Sequence, residues 1–227
     1  KNNLILFVSN VSSECGISIG APNRVLLSNN LISGFRESIF IDNPSDTLII
    51  NNNLLAYSDW GILCAGDIVK TFNDMILNNI KGIESDIYLT TNYNLYWKNE
   101  INLKGVGTTP VFGDSDIVAD PMFVNDTIPI ANGSLPAGQA GYDFHLQKYS
   151  PAIDKGDPTI LDVDGSTSDI GMFGGPYGEV YTYQDLAPKP PANLTASMDS
   201  GLVHLKWNKN TEADLFRYRV YRDTVPD

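Results

Sequence analysis

Hydrophobic and polar positions recur along the first hundred residues in a fixed order. Aligned on Asn10, Asn30, Asn53, Asp74 and Asn94, the copies are spaced by 20, 23, 21 and 20 residues. Five positions before each of these stand Ile5, Val25, Leu48, Val69 and Leu89, and three before stand Phe7, Leu27, Ile50, Thr71 and Thr91. Two positions after stand Ser12, Ile32, Leu55, Ile76 and Tyr96; nine after stand Ile19, Ile39, Ile62, Ile83 and Leu103. A small residue (Ser18, Ser38, Gly61 or Gly82) precedes that last column in four copies. The stretch Val25–Ile41 shows the unit most clearly.

Residues two apart share one face of a strand, so the first two columns predict a short strand facing a core. The Asn column turns the chain, and the last column opens a second strand. One such winding cannot bury its apolar side alone, whereas stacked windings share a continuous core. Parallel stacking at ~4.8 Å per winding also places each Asn amide beside the next. An inward amide then donates to its neighbour's carbonyl, which satisfies a group that is costly to bury unpaired. Asp74 lacks that donor and is expected to bond the neighbouring Asn residues or take up a water or cation.

A leucine-rich repeat has a similar aliphatic–Asn signature, but it continues into a helical or leucine-bearing convex side. Here the following segments, Ser38-Ile39-Phe40-Ile41 and Gly61-Ile62-Leu63-Cys64, read as strands, and residues 1–103 show no helical periodicity. These repeats resemble the right-handed parallel β-helix of the pectate-lyase-like superfamily. The fold class expected is all-β: a solenoid over 1–104, an irregular closing segment over 105–185, a Pro-rich linker over 186–191 and a partial β-sandwich over 192–227.

Beyond Leu103 the period fails and Gly105, Gly107, Pro110 and Gly113 mark an irregular stretch. The phrases Asp120-Pro121-Met122-Phe123-Val124, Asp143-Phe144-His145-Leu146, Ser150-Pro151-Ala152-Ile153-Asp154 and Asp169-Ile170-Gly171-Met172-Phe173 resemble the closing segment of secreted bacterial β-helix proteins. Met122, Phe123, Phe144, Leu146, Ile153, Ile170 and Phe173 suit a cover for the exposed solenoid end. After Pro188-Lys189-Pro190-Pro191, three strand-like phrases resemble the opening of a fibronectin type III domain: Leu194–Ala196, Leu202–Trp207 and Tyr218–Arg222. Three strands of a sandwich cannot enclose a core, and the expectation is that the protein continues beyond Asp227.

Composition narrows the function classes. With 15 basic against 27 acidic residues the net charge is −12, and no basic patch suited to nucleic acid is visible. The same charge disfavours anionic glycans unless a divalent cation bridges the two sets of carboxylates. No apolar run reaches the ~18 residues of a membrane span. Cys15 and Cys64, the only cysteines, are expected as free thiols, because they fall two layers apart in the stack.

Candidate chemistry is sparse. Asp162-Val163-Asp164-Gly165-Ser166-Thr167-Ser168-Asp169 places Asp162, Asp164 and Asp169 around a Gly turn, which suits calcium; the alternative is Asx turns that bond local N–H groups. No cofactor is otherwise implied. Tyr57, Trp60 and Trp97 follow the Asn column and could stack on sugar rings or pack over corners. Arg36 and Asp59 share a phase and are expected to pair across layers. His145 and His204 have no nucleophile or base nearby in sequence. The reading that follows is a non-catalytic scaffold, secreted or on a bacterial cell surface, for adhesion, surface assembly or glycan contact, with glycans or cell-surface proteins as partners. The alternative is the C-terminal part of a polysaccharide lyase or glycoside hydrolase whose catalytic residues lie before Lys1.

Overall fold

A computed structural model of the chain describes residues 4–6, 15–20, 25–42, 48–65, 69–86, 89–106, 110–126 and 141–222. Those residues form a parallel β-solenoid with a laterally packed closing segment, and the described residues contain no helix. Each winding contributes three strands, one more than the repeat columns suggested. The first sheet stacks Leu4–Leu6, Leu31–Ser33, Leu54–Ala56, Met75–Leu77, Leu95–Trp97 and Ile117–Val118. The second stacks Cys15–Gly20, Glu37–Asp42, Trp60–Ala65, Lys81–Ser85 and Ile101–Gly105. The third stacks Val25–Ser28, Leu48–Asn51, Val69–Phe72 and Leu89–Asn92. Every pairing within these three sheets is parallel.

Register fixes which columns are equivalent. Ile39, Ile62, Ile83 and Leu103 align as expected, as do Ile32, Leu55, Ile76 and Tyr96. In the first winding the columns shift. Ile5 pairs with Ile32 rather than standing with Val25, and Ile19 pairs with Ile41 rather than Ile39. The step from Leu4 to its partner Leu31 is therefore 27 residues, against 23 from Leu31 to Leu54. Asn10 lies outside the described residues.

The inward side chains (Ile32, Ile39, Ile41, Leu48, Ile50, Leu55, Ile62, Cys64, Ile76 and Ile83 among them) fill a continuous interior. Full burial of each such aliphatic side chain contributes roughly 1.5–3 kcal/mol. The small column has a steric cause. A Cβ on Gly61 would sit 2.6 Å from the Gly82 carbonyl oxygen and 3.0 Å from Ile76. Cys64 aligns with Ile41 in this interior, while Cys15 starts the first strand of the second sheet; neither forms a disulfide.

The chain turns into and out of the four central first-sheet strands through a left-handed residue. Asn29, Asn52, Asn73 and Tyr93 have φ of 56°, 53°, 59° and 58°; after the strand, Gly34, Tyr57, Asn78 and Lys98 have 87°, 55°, 52° and 54°. Asn and Gly tolerate that region best, and their presence at most corners follows. Immediately after each left-handed residue a side chain enters the corner. Asn30 Nδ2 donates to Asn53 Oδ1 at 2.9 Å, and Asn53 Nδ2 donates to Asp74 Oδ1 at 2.9 Å. The backbone N–H of each rung donates to the same oxygen of the next, at 3.0, 2.8 and 2.9 Å from Asn30, Asn53 and Asp74.

The period does not end at Leu103. Asp116, 22 residues beyond Asn94, is one more rung: its Oδ1 accepts from Asn94 N at 2.8 Å and from Asn94 Nδ2 at 3.2 Å. Ile117 and Val118 then pair with Leu95 and Tyr96. An acceptor-only side chain closes a ladder whose donors all point toward this end. At the opposite corner a second, unanticipated ladder runs through Ser58, Asn79 and Asn99. Ser58 N donates to Asn79 Oδ1 at 3.0 Å, and Asn79 Nδ2 donates to Asn99 Oδ1 at 3.1 Å.

The closing segment covers a different surface from the one expected. Instead of lying over the solenoid end, Phe123, Phe144, Leu146, Ala152 and Ile170 pack against Leu31, Leu54, Ala56, Met75, Leu77 and Leu95, the outward face of the first sheet. Phe123–Asn125 and Asp143–Leu146 form its antiparallel pair. Corner asparagines fasten it: Asn29 Nδ2 donates to the carbonyls of Met172 (2.9 Å) and Gly174 (2.7 Å), and Asn52 Nδ2 to that of Asp169 (3.0 Å). Gly171, at φ 108°, crosses so close to Met75 that a Cβ would meet its sulfur at 2.9 Å. Phe112 meets Tyr96 edge-on at the last winding, with centroids 5.2 Å apart.

In the tail, Thr195–Asp199 and Leu202–Lys206 form an antiparallel hairpin through Ser200 and Gly201, both at positive φ. Tyr218–Arg222 joins no sheet, so two of the three expected strands are present. All ten strand residues of the hairpin are exposed, Val203 and Leu205 among them.

The ladder is open to a direct test. Replacing Asn53 by Ala removes the acceptor for Asn30 and the donor to Asp74, inside fully buried surroundings. At about 1–3 kcal/mol for each orphaned group, the variant should lose roughly 2–5 kcal/mol, read as a lower urea midpoint with an unchanged slope.

Candidate functional site

The first sheet's outer face is covered, so the second sheet presents the solenoid's most chemically varied surface. Its strands have the same register throughout, which stacks Cys15, Glu37, Trp60, Lys81 and Ile101 in one outward row and Ser18, Phe40, Leu63, Glu84 and Lys104 in another. Four windings thus bring together residues from positions 36 to 104.

Glu84 is the centre of this cluster. Lys81 Nζ lies 2.6 Å from its Oε2, Lys104 Nζ lies 2.9 Å from its Oε1, and Trp60 Nε1 donates to Oε2 at 2.5 Å. Burial alone would raise its pKa, but donation from Lys81, Trp60 and Lys104 outweighs that and brings it down to about 2. Trp60 carries Lys81 Nζ 4.6 Å from its ring centroid and the Arg36 guanidinium at 5.4 Å, both within cation–π range. Arg36 Nε pairs with Glu37 Oε1 at 3.3 Å, not with Asp59 as its phase had suggested. Cys15 Sγ donates to Glu37 Oε2 at 3.2 Å; its burial, with Glu37 beside it, pushes the thiol up to about 11. That thiol is not a nucleophile at neutral pH.

The three aromatics singled out from the sequence do not share a surface. Trp60 belongs to the second sheet, whereas Tyr57 and Trp97 lie at the edge of the covered first sheet and pack against its outer apolar layer. Tyr57 is a left-handed corner residue.

Asp162, Asp164 and Asp169 do not converge on a common point. Asp162 accepts from the backbone N–H groups of Asp169 (3.0 Å) and Gly175 (2.5 Å). Asp164 Oδ1 accepts from Ser166 N (3.0 Å) and Ser166 Oγ (2.6 Å), an Asx-type turn. Asp169 accepts from Asp154 N (2.9 Å) and the Tyr183 hydroxyl (2.8 Å), and burial pushes its carboxyl up to about 6. Among the described residues, no three His, Cys, Asp or Glu side chains form a group able to hold a metal ion.

His145, expected to have no base nearby in sequence, has two carboxylate partners: Asp143, two residues before it, and the distant Glu179. Its Nδ1 lies 2.6 Å from Asp143 Oδ1 and its Nε2 lies 2.5 Å from Glu179 Oε1, while the ring stacks on Phe173 at 4.1 Å. Burial opposes protonation, but the two carboxylates outweigh it and raise the imidazole pKa. The result is a clamp that ties the antiparallel pair to the chain beyond Phe173. A crevice between the closing segment and the first sheet, lined by Leu54, Met75, Phe144, Asp169, Ile170 and Tyr181, has room for roughly one water. His204 is exposed on the hairpin.

Comparison of the chain with protein-family models, with curated proteins and with solved structures finds no match.

Because the Glu84 carboxyl is held below its ordinary value, its ion pairs stabilise the fold above about pH 4.5, and that contribution is lost as pH falls toward about 2. Glu84→Gln should lower the melting temperature at pH 7 and flatten the wild-type decline over this acid range; melting curves from pH 2 to 7 check both. The turn geometry of the Asp162 loop predicts a melting temperature that a calcium chelator leaves unchanged.

Proposed function

We propose that this chain is part of a non-catalytic scaffold of the pectate-lyase-like β-helix kind. It presents the outer face of its second sheet to partners in adhesion, surface assembly or glycan contact. The observation that carries this reading is the state of Glu84. A general acid or base needs a pKa near the working pH and a free oxygen aimed at substrate. Glu84 has neither, since both oxygens are engaged by Lys81, Lys104 and Trp60. What the cluster offers instead is a rigid platform. Its main charges are Arg36, Lys81 and Lys104 against Glu37 and Glu84, a local excess of one positive charge on a chain of net charge −12.

Further support comes from the first sheet, whose outward positions are covered by the closing segment among the described residues. The exposed hairpin after the Pro-rich stretch resembles the start of a fibronectin type III domain, a module suited to spacing and adhesion on a secreted or bacterial cell-surface protein.

Incubation with a panel of neutral and acidic polysaccharides tests the reading. No new reducing ends or unsaturated products should form, while any ligand that binds should do so more weakly to Trp60→Ala than to the wild type. Turnover of any polysaccharide by this chain, abolished by Glu84→Gln, would overturn the scaffold assignment.

A further inference from the structure

The interior ladder contains one rung that breaks its donor rule. Asn53 Nδ2 donates to the Leu27 carbonyl (3.1 Å), to the Asn51 carbonyl (3.0 Å) and to the next rung; Asn94 Nδ2 donates to the Thr71 carbonyl (3.1 Å) and to Asp116 Oδ1 (3.2 Å). Asp74 stands between them in register, with an oxygen where its neighbours carry the amide nitrogen. Its Oδ1 is saturated by Asn53 N and Nδ2. Its Oδ2 is buried and has no hydrogen-bond partner, in a residue with 0% exposure. By the register of the stack, the acceptors equivalent to those its neighbours' amides use are the carbonyls of Ile50 and Phe72 and the Oδ1 of Asn94, which already accepts from Asp74 N at 2.9 Å. All three are acceptors.

We infer that Asp74 is a neutral acid in the folded protein, its Oδ2–H standing in for the missing amide, so that this layer of the solenoid weakens when the proton is lost. A protonated carboxyl has the donor–acceptor pattern of an amide; a carboxylate has acceptors only. The neighbouring titratable groups point the same way. Asp116, two rungs away across Asn94, is a second acid whose charge adds to the rise, and the nearby Tyr96 hydroxyl is held neutral by burial, so no cation offsets the Asp74 charge among these groups. Burial pushes the Asp74 carboxyl up to about 7, against the lowering effect of the Asn53 bonds, with Asp116 adding to the rise. For an acid whose folded pKa is raised, stability is fully present below the unfolded value near 3.8 and falls as pH rises toward about 7, then levels. The device is a pH-sensitive layer two windings from the final rung.

Asp74→Asn supplies a permanent amide and tests the inference. Melting temperatures of wild type and variant should agree near pH 4 and separate as pH rises, with the variant several degrees higher at pH 8 and no further divergence above. Parallel curves from pH 4 to 9, or a wild type more stable than the variant at pH 8, would overturn it. A direct reading on the wild type does not depend on the variant folding. The 13C shift of the Asp74 carboxyl should titrate with a midpoint near 7; a midpoint at or below the ordinary carboxylate value would reject a neutral rung.

Discussion

Parallel, in-register stacking is the constraint on which the rest of the molecule depends. Because each winding lies directly above the last, every side chain that points inward meets its own equivalents along the axis. Apolar columns gain by this, since Ile39, Ile62 and Ile83 form a continuous stack with no exposed side. Polar columns survive only if each member can both give and accept a hydrogen bond. Asn does so, and the corners also need a left-handed residue, which Asn tolerates. The Asn-Asn doublets at 29–30, 52–53 and 78–79 serve the two requirements at once: the first residue turns the chain and the second bridges the windings.

The same geometry sorts the polar residues by what they can do. Those facing inward are consumed by folding. Corner asparagines facing sideways fasten the closing segment, which buries the largely apolar outward columns of the first sheet. The second sheet is left to face outward with mixed charge, and there register brings Trp60, Lys81, Glu84 and Lys104 into one cluster. That cluster is tightly satisfied, and its chemistry is recognition through shape and fixed charge, not proton transfer.

The period, the inward aliphatic columns, the Asn ladder and the all-β class were legible in the sequence because a solenoid repeats the same local environment at each winding. Three things were legible in principle and missed. The triplets Leu54-Leu55-Ala56, Met75-Ile76-Leu77 and Leu95-Tyr96-Trp97 are apolar throughout, as strands buried on both faces should be. Asp116 keeps the spacing and has Val118 two positions on. Asn79 and Asn99 recur at 20 residues. The first winding was misaligned because its extra length moves Ile5 and Ile19 into other columns, and only strand pairing reveals that shift.

What the sequence by itself determined is the repeat: where apolar residues must face inward and where an amide must bridge. What only the tertiary structure decided is which surface the irregular half of the chain would cover, and which distant side chains would meet. Met122 to Phe173 are apolar enough to cap an end or a flank, and their order does not distinguish the two; the apolar outer face of the first sheet does. Likewise Glu84 and His145 each have one partner close in sequence, Lys81 and Asp143, but nothing local marks the distant partners of these two residues or of Asp74. Burial and neighbours 20 to 42 residues away, Lys104, Glu179 and Asp116, help set their protonation, because charge and hydrogen bonding act through space and not along the chain.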